Sequence, residues 1–417
     1  MNSTPGYKPG YNRWLIPVAA LLIHICIGSV YAWSTFNKPI NAALHAGADA
    51  WMKAPYITFS AALILLGLSA AFGGPWVERN GPRKTAVFAA LFFCSGLTIG
   101  AIGLSMGNAP VVFLGMGVVS GIGCGLGYIA PVSTLVKWFP DKRGMATGFA
   151  VMGFGGGAFL AGKLNVILID RIGLVDGLFS LAASYMALML CGAWLIRRAP
   201  DAGAKRVSEA GLTRNQALST PQFWLMWGIL FINVTAGIGI LAQASPMMQD
   251  IFGKTALEAA AVVSVISLFN AGGRIFWATI SDWIGRRNTY ITFFVMQAGL
   301  FLLIPQLAHS GSWLFFELSL FVVFTMYGGG FATIPAFLAD MFGPNNVGAI
   351  HGAVLTAWSA AAIVGPAVIT YLSDKAKAAL PAGASKAYAY DLPLEILAGF
   401  LVIGFLLTIS VKPLNQE

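Results

Sequence analysis

Apart from Glu258 at its very start, Arg274 is the one charge in the apolar run 257–281 of a 417-residue chain. Asp282 marks the end of that run, so a helix through it sets the guanidinium about 12 Å in, at 1.5 Å of rise per residue. A cation that deep in an apolar span costs ~2.5–3.5 kcal/mol on insertion scales and persists only with a partner or a task. A buried acid is the obvious partner, yet no Asp or Glu lies deep in any apolar run: Asp170, Asp250, Glu317 and Asp340 all sit near run ends. An unpaired guanidinium facing a water-filled cavity is a carboxylate receptor, because its planar fork matches a carboxylate through two parallel hydrogen bonds. Asn270 lies four residues earlier, one helical turn away on the same face. Its amide can hold the guanidinium or touch the bound anion.

Other chemistry is poorly supplied. The four cysteines, Cys26, Cys94, Cys124 and Cys191, fall inside apolar runs without ligand spacing, so buried free thiols are expected rather than disulfides or a metal site. Gly121-Ile122-Gly123-Cys124-Gly125-Leu126-Gly127 resembles a nucleotide loop only on the surface. No strand precedes it, and small residues within an apolar span serve close helix contact. Gly153-Phe154-Gly155-Gly156-Gly157-Ala158 reads the same way, with helix bending as a further use. His24 is a candidate proton carrier because imidazole titrates near neutrality; a packed, neutral ring is the competing reading. His351 lies nearer a run end and is a weaker candidate. No nucleophile, metal set or titratable cluster suited to an enzyme is present, and no cofactor is expected.

The elements that must position Arg274 follow from composition. Hydrophobic residues make up 57% of the chain and charged residues 10%, with a mean hydropathy of +0.76. Soluble domains carry about a quarter charged residues, so this chain could not cover a water-facing surface. Twelve apolar runs approach the ~20 residues that cross a bilayer: 14–36, 55–77, 85–106, 110–136, 145–169, 175–196, 222–247, 257–281, 289–308, 313–339, 349–372 and 393–411. Lipid cannot satisfy main-chain polar groups, so each is a helix. The fold expected is an all-α membrane protein of two six-helix bundles. Residues 1–13 form a polar tail, 14–196 the first bundle, 197–221 a basic central loop, 222–411 the second bundle and 412–417 a short tail.

The net charge of +9 is a topology signal, not a nucleic-acid footprint. With the N-terminus inside, 16 cations fall on inner segments and eight on outer segments and span ends. This two-to-one excess places both termini in the cytoplasm. Only Arg274 belongs to neither side. The expected home is a plasma membrane, the bacterial inner membrane, crossed many times.

The chain also repeats itself. Glu78-Arg79-Asn80-Gly81-Pro82-Arg83-Lys84-Thr85 has its counterpart 204 positions later in Asp282-Trp283-Ile284-Gly285-Arg286-Arg287-Asn288-Thr289. The same offset relates Pro131 to Pro335 and Gly144 to Gly348. Substrate sites in two-repeat carriers usually lie between the halves, near the midplane.

These residues carry a family resemblance. Gly74-Pro75-Trp76-Val77-Glu78-Arg79-Asn80-Gly81-Pro82-Arg83-Lys84 resembles the loop 2–3 signature of the major facilitator superfamily, with Glu for the commoner Asp, and Asp282 to Arg287 resembles its echo in loop 8–9. Lys137-Trp138-Phe139-Pro140-Asp141-Lys142-Arg143-Gly144-Met145-Ala146-Thr147-Gly148 is similar to the span 4–5 junction of the bacterial oxalate/formate-antiporter and monocarboxylate-transporter branch. Asn12-Arg13-Trp14 and Thr220-Pro221-Gln222-Phe223-Trp224 are similar to that branch too. The resemblance implies alternating access by a functional monomer. Glu78, Arg79, Arg83, Asp282 and Arg286 are then gate residues, positioned where helix ends meet at the cytoplasmic face.

Within the branch, Tyr31, Tyr128, Tyr327 and Phe331 match aromatic positions of the substrate cavity. Aromatic walls shape a small pocket, and tyrosine hydroxyls can bond substrate oxygens; ordinary core packing is the alternative for each. The sequence departs from the family at three places. Asn270 stands where animal monocarboxylate transporters have an Asp implicated in proton coupling. The segment Tyr31-Ala32-Trp33-Ser34-Thr35 ends in Thr where they have a Lys. Trp358 stands where dicarboxylate-carrying relatives place a second cation. One cation suits one carboxylate, so the expected substrate is a monocarboxylate such as lactate, pyruvate or formate. Coupling to a proton, through Arg274 or His24, is the first reading, and anion exchange of the oxalate/formate type is the alternative.

Overall fold

The structure is a computed structural model that describes residues 11–44, 54–199 and 211–414. Most of the expected N-terminal tail and the middle of the central loop lie outside the described residues. Among the described residues there is no strand, and twelve helices are long and apolar enough to cross a membrane. They are α1 Leu15–Ala32, α2 Ile57–Asn80, α3 Pro82–Ser105, α4 Ala109–Trp138, α5 Arg143–Ile172, α6 Leu174–Leu195, α7 Pro221–Leu241, α8 Ala261–Ile284, α9 Arg286–His309, α10 Trp313–Phe342, α11 Val347–Ala379 and α12 Tyr388–Ser410.

Local chemistry sets where these helices begin and turn. Thr220 caps the helix that begins at Pro221, whose missing N–H is no loss in a first turn. Thr255 and Glu258 form a reciprocal capping box ahead of α8. Gly81 and Gly285, at matching points of the two repeats, take φ of 86° and 87° between consecutive helices. Only glycine enters that region without strain, so the repeat seen in the sequence is a repeat of backbone turn.

Packing repeats as well. α1 lies on α5 as α7 lies on α11; α2 lies on α4 as α8 lies on α10; α3 lies on α6 as α9 lies on α12. The two six-helix bundles meet along a seam where α2 crosses α11 and α5 crosses α8. The first and last described residues and those flanking the central loop lie on one face, called here the termini face: Tyr11 bonds the Leu195 carbonyl, Leu212 bonds that of Phe342, and Arg287 bonds that of Thr408. Outward positions hold bare apolar side chains, Phe72 at 74% and Trp283 at 79% exposure among them, as expected of surfaces that contact lipid.

Two departures from the sequence reading have physical causes. Cys191 is exposed on the outer side of α6, while Cys26, Cys94 and Cys124 are buried as free thiols. α12 begins at Tyr388, five residues before the expected start at Pro393. Polar pairs carry it past the apolar run: Tyr390 donates to Asp250 at 2.8 Å, and His309 meets Asp391 at 2.9 Å.

Candidate functional site

α8 delivers Asn270 and Arg274 to the seam, and glycines let its neighbours close on it. A Cβ on Gly148 of α5 would stand 2.5 Å from the Arg274 carbonyl, and one on Gly328 of α10 would stand 2.6 Å from Asn270 Oδ1. Arg274 is therefore wholly buried. Its Nε donates to Asn270 Oδ1 at 3.2 Å, and its Nη1 donates across the seam to the Val151 carbonyl at 3.2 Å. Nη2 has no partner. Aromatic rings complete its surroundings, with the guanidinium carbon 5.6 Å from the Phe154 centroid and 5.2 Å from that of Phe331. Such contacts stabilise a desolvated cation modestly but leave its charge uncancelled. Among the described residues no carboxylate forms an ion pair with it.

The rings around it form a cage drawn from both bundles. Trp358 lies 4.4 Å from Phe331, 5.4 Å from Phe154, 5.6 Å from Tyr128 and 6.1 Å from Tyr31 between ring centroids. Tyr31 and Tyr327 join hydroxyls across the seam at 3.1 Å. Helix irregularities aim two of these side chains. Tyr31 sits on a 3₁₀ turn, Ser29–Ala32, at the end of α1, and Trp358 follows a break in α11 at Leu355. Arg274 Nη2, Tyr128 Oη and Trp358 Nε1 are all buried without partners. All three can donate, and an ionised carboxylate only accepts. Three idle donors on neighbouring side chains suit an anion.

Every residue expected at the substrate site is thus brought together: Arg274, Asn270, Tyr31, Tyr128, Tyr327, Phe331 and Trp358. Two contributors were not foreseen. Phe154 was read as part of a packing run, although it is the one bulky side chain among its glycines; the Val151 carbonyl has no sequence signal at all. His24 is buried beside Tyr128, ring centroids 5.4 Å apart, with Nδ1 3.0 Å from the Ala150 carbonyl.

The expected gate residues divide into two groups. Glu78 accepts from Gly348 N at 2.9 Å and pairs with Lys137. Asp282 accepts from Gly144 N at 3.1 Å and Met145 N at 3.0 Å, and Arg286 bonds it at 2.5 Å. Each acid therefore caps a helix of the opposite bundle, where the free N–H groups and helix dipole favour an anion. Arg79 and Arg83 do not join this seam. Arg79 is exposed, and Arg83 donates to the Trp194 carbonyl at 2.8 Å within its own bundle. Their place is taken by Arg143 and Asp340, paired across the seam at 2.7 Å, with Arg286 on the second oxygen at 3.1 Å.

Two repeated bundles, a buried uncompensated cation between them and acid-capped contacts at one face define a membrane carrier. The chain belongs to the Major Facilitator Superfamily, whose family model matches residues 14–366; it is a multi-pass membrane transporter, not an enzyme. It is 29% identical to the oxalate:formate antiporter of Oxalobacter formigenes over 85% of this chain and 83% of that one. It is 24% identical to apicoplast pyruvate carrier 1 of Toxoplasma gondii, over 82% and 80%. The match to the antiporter agrees with the branch that the sequence motifs resemble. The fold matches that of a proton:xylose symporter with a TM-score of 0.72, at 18% identity over 98% of this chain and 97% of that one.

Proposed function

We propose that this transporter moves a small monocarboxylate of the lactate or pyruvate kind, together with a proton, by alternating access. The observation that carries the reading is the Arg274 guanidinium, buried at the seam with an idle Nη2 and no acid beside it. A carboxylate entering the cage cancels that charge and takes the idle donors of Tyr128 and Trp358. Trp358 supplies an apolar wall for an organic tail and offers no second cation, which disfavours a dicarboxylate. The names of two relatives, an oxalate:formate antiporter and a pyruvate carrier, support a carboxylate cargo.

With the termini in the cytoplasm, the acid caps and the Arg143–Asp340 pair close the inner side. Opening that side requires breaking both caps while the outer ends of the bundles approach. The carrier acts as a monomer in this reading, since both halves of the site come from one chain.

Anion exchange is the second reading, and a specific observation favours it. A bare Arg274 is costly to carry through a closed state, so an anion could be required on every crossing. Purified protein in liposomes separates the two. Radiolabelled lactate, pyruvate, formate and oxalate are offered with and without an inward proton gradient, beside Arg274→Ala. Uptake driven by the gradient into vesicles holding no anion is the expected result. Uptake only against internal anion selects exchange; oxalate faster than lactate, or normal transport by Arg274→Ala, overturns the site assignment.

A further inference from the structure

We infer that His24, Tyr128 and His351 form a proton-binding station on the termini side of the aromatic cage, sharing Tyr128 with the anion site and electrically linked to it. The inference rests on the proton-coupled reading above. His24 is on α1, Tyr128 on α4 and His351 on α11, so the three come from both bundles. Their rings form a row, with Tyr128 5.4 Å from His24 and 6.0 Å from His351 between centroids. All three are wholly buried. Each ends in a polar atom without a partner: His24 Nε2, Tyr128 Oη, and both ring nitrogens of His351. Tyr128 Oη has a use at the anion site, but a packing-only role for the two histidines leaves three buried ring nitrogens unexplained, since such atoms are ordinarily bonded.

Depth along the helices separates this row from the cage. His24 precedes Tyr31 by seven residues, and His351 precedes Trp358 by seven, which is about 10 Å of helix toward the termini face in each case. Tyr128 spans the two levels, touching Trp358 with its ring edge and the histidines beside it. One turn beyond His351, Gly348 N donates to Glu78. The row therefore leads from the anion site toward the gate.

The hydrogen bonding of His24 sets its chemistry. The Ala150 carbonyl can only accept, so the Nδ1 bonded to it carries the ring proton, and Nε2 is left as a free base. The Tyr128 main chain lies beside the ring as a further acceptor once Nε2 is protonated. Arg274 is the charge that bears on this proton, being within electrostatic range of His24. Tyr185 on α6 meets the first helix through its carbonyl at Cys26 and its hydroxyl at Ser29. On the helix that carries His351, Glu78 of α2, paired with Lys137 of α4, makes a charged contact at Gly348, one turn away.

Linkage follows from charge alone. An imidazolium at His24 and a bare Arg274 repel; a carboxylate on Arg274 removes that repulsion. Anion and proton thus bind with positive coupling, which by reciprocity raises each one's affinity for the loaded carrier. The proton comes from water on the open outer side, rests on His24, and passes by the Tyr128 hydroxyl and His351 to water at the termini face once the caps open. No bond other than N–H and O–H is made or broken.

The test uses full-length protein in liposomes with radiolabelled lactate, comparing wild type with His24→Gln and His351→Gln. Two rates are read: net uptake driven by an inward proton gradient, and exchange with lactate on both sides, which needs no net proton movement. The expected result is a loss of at least tenfold in gradient-driven uptake by either variant, with exchange within about twofold of wild type. Retained exchange also shows that the variant is folded. Unchanged gradient-driven uptake in both variants overturns the station, and the proton then travels with the substrate. Equal loss of both rates in both variants likewise overturns it. Wild type without gradient-driven uptake is a failure of the proton-coupled reading itself, and the station falls with it.

Discussion

The Glu78 carboxylate accepts the Gly348 main-chain N–H at 2.9 Å, capping the first turn of a helix in the opposite bundle. Asp282, its counterpart by repeat, caps Gly144 at 3.1 Å. The two caps are mirror copies, and both need glycine. A Cβ on Gly348 would lie 2.6 Å from Glu78 Oε1, and one on Gly144 2.8 Å from Asp282 Oδ1. Charge at a helix N-terminus is worth ~0.3–1 kcal/mol, and up to about 2 when partly buried. Glu78→Gln is therefore expected to shift the carrier several-fold toward the state open at the termini face, and Gly348→Ala further. Labelling of a single introduced cysteine from that face measures the shift.

Arg274→Lys keeps the charge and loses the fork. One hydrogen bond to a charged group is worth ~1.5–3 kcal/mol, so lactate kcat/KM is expected to fall by roughly tenfold to a hundredfold. Arg274→Ala is expected to abolish uptake. Both are checked by initial rates in liposomes, and equal activity of the lysine variant would show that the fork is not used.

Trp358→Arg places a second cation against the cage. Oxalate uptake relative to lactate is expected to rise by about tenfold or more, the equivalent of ~1.4 kcal/mol. Competition of unlabelled oxalate against labelled lactate reads the ratio directly.

Tyr31 and Tyr327 bond hydroxyl to hydroxyl across the seam. Tyr327→Phe removes a bond worth ~1 kcal/mol without changing ring volume. The closed cage is then less populated, and lactate affinity is expected to drop about threefold to fivefold while expression and melting temperature hold. Equilibrium binding followed by tryptophan fluorescence, with Trp358 in the cage, gives the number.

Asp250 gathers Lys377 at 2.7 Å, the Tyr390 hydroxyl at 2.8 Å and Lys386 at 3.3 Å. Burial pushes this carboxyl up, but the three donors outweigh it and hold it below the usual carboxylate range. A lowered folded value stabilises the protein above the ordinary carboxylate pKa, and that contribution disappears as pH falls through the folded value. The melting-temperature advantage of wild type over Asp250→Asn in detergent is therefore expected to be flat near neutrality and to shrink below about pH 4.

Much of this molecule is legible without coordinates. Gly81 and Gly285 announce the repeated turn because left-handed backbone all but requires glycine there. Asn270 and Arg274 announce each other through helical spacing. The start of α12 is not legible, because Tyr390 and Asp391 are held by Asp250 and His309, far away in the chain. Arg79 and Arg83 look as gate-like as Glu78, and only the direction taken by each side chain separates them. Phe154 hides in a glycine run whose packing role masks its place at the cage.

Sequence alone determined the class, the twelve spans, the two halves and the deep, acid-free Arg274. It could do so because a bilayer is a severe solvent: it demands apolar length, closed main-chain bonding and a reason for every buried charge. Tertiary structure alone decided that Arg274 reaches the Val151 carbonyl, that Trp358 meets four rings, and that each acid caps the other bundle's helix. All of those contacts but Trp358 with Phe331 join residues more than a hundred positions apart. They depend on how helices rotate and cross, which glycine-lined close approach sets and no local pattern records.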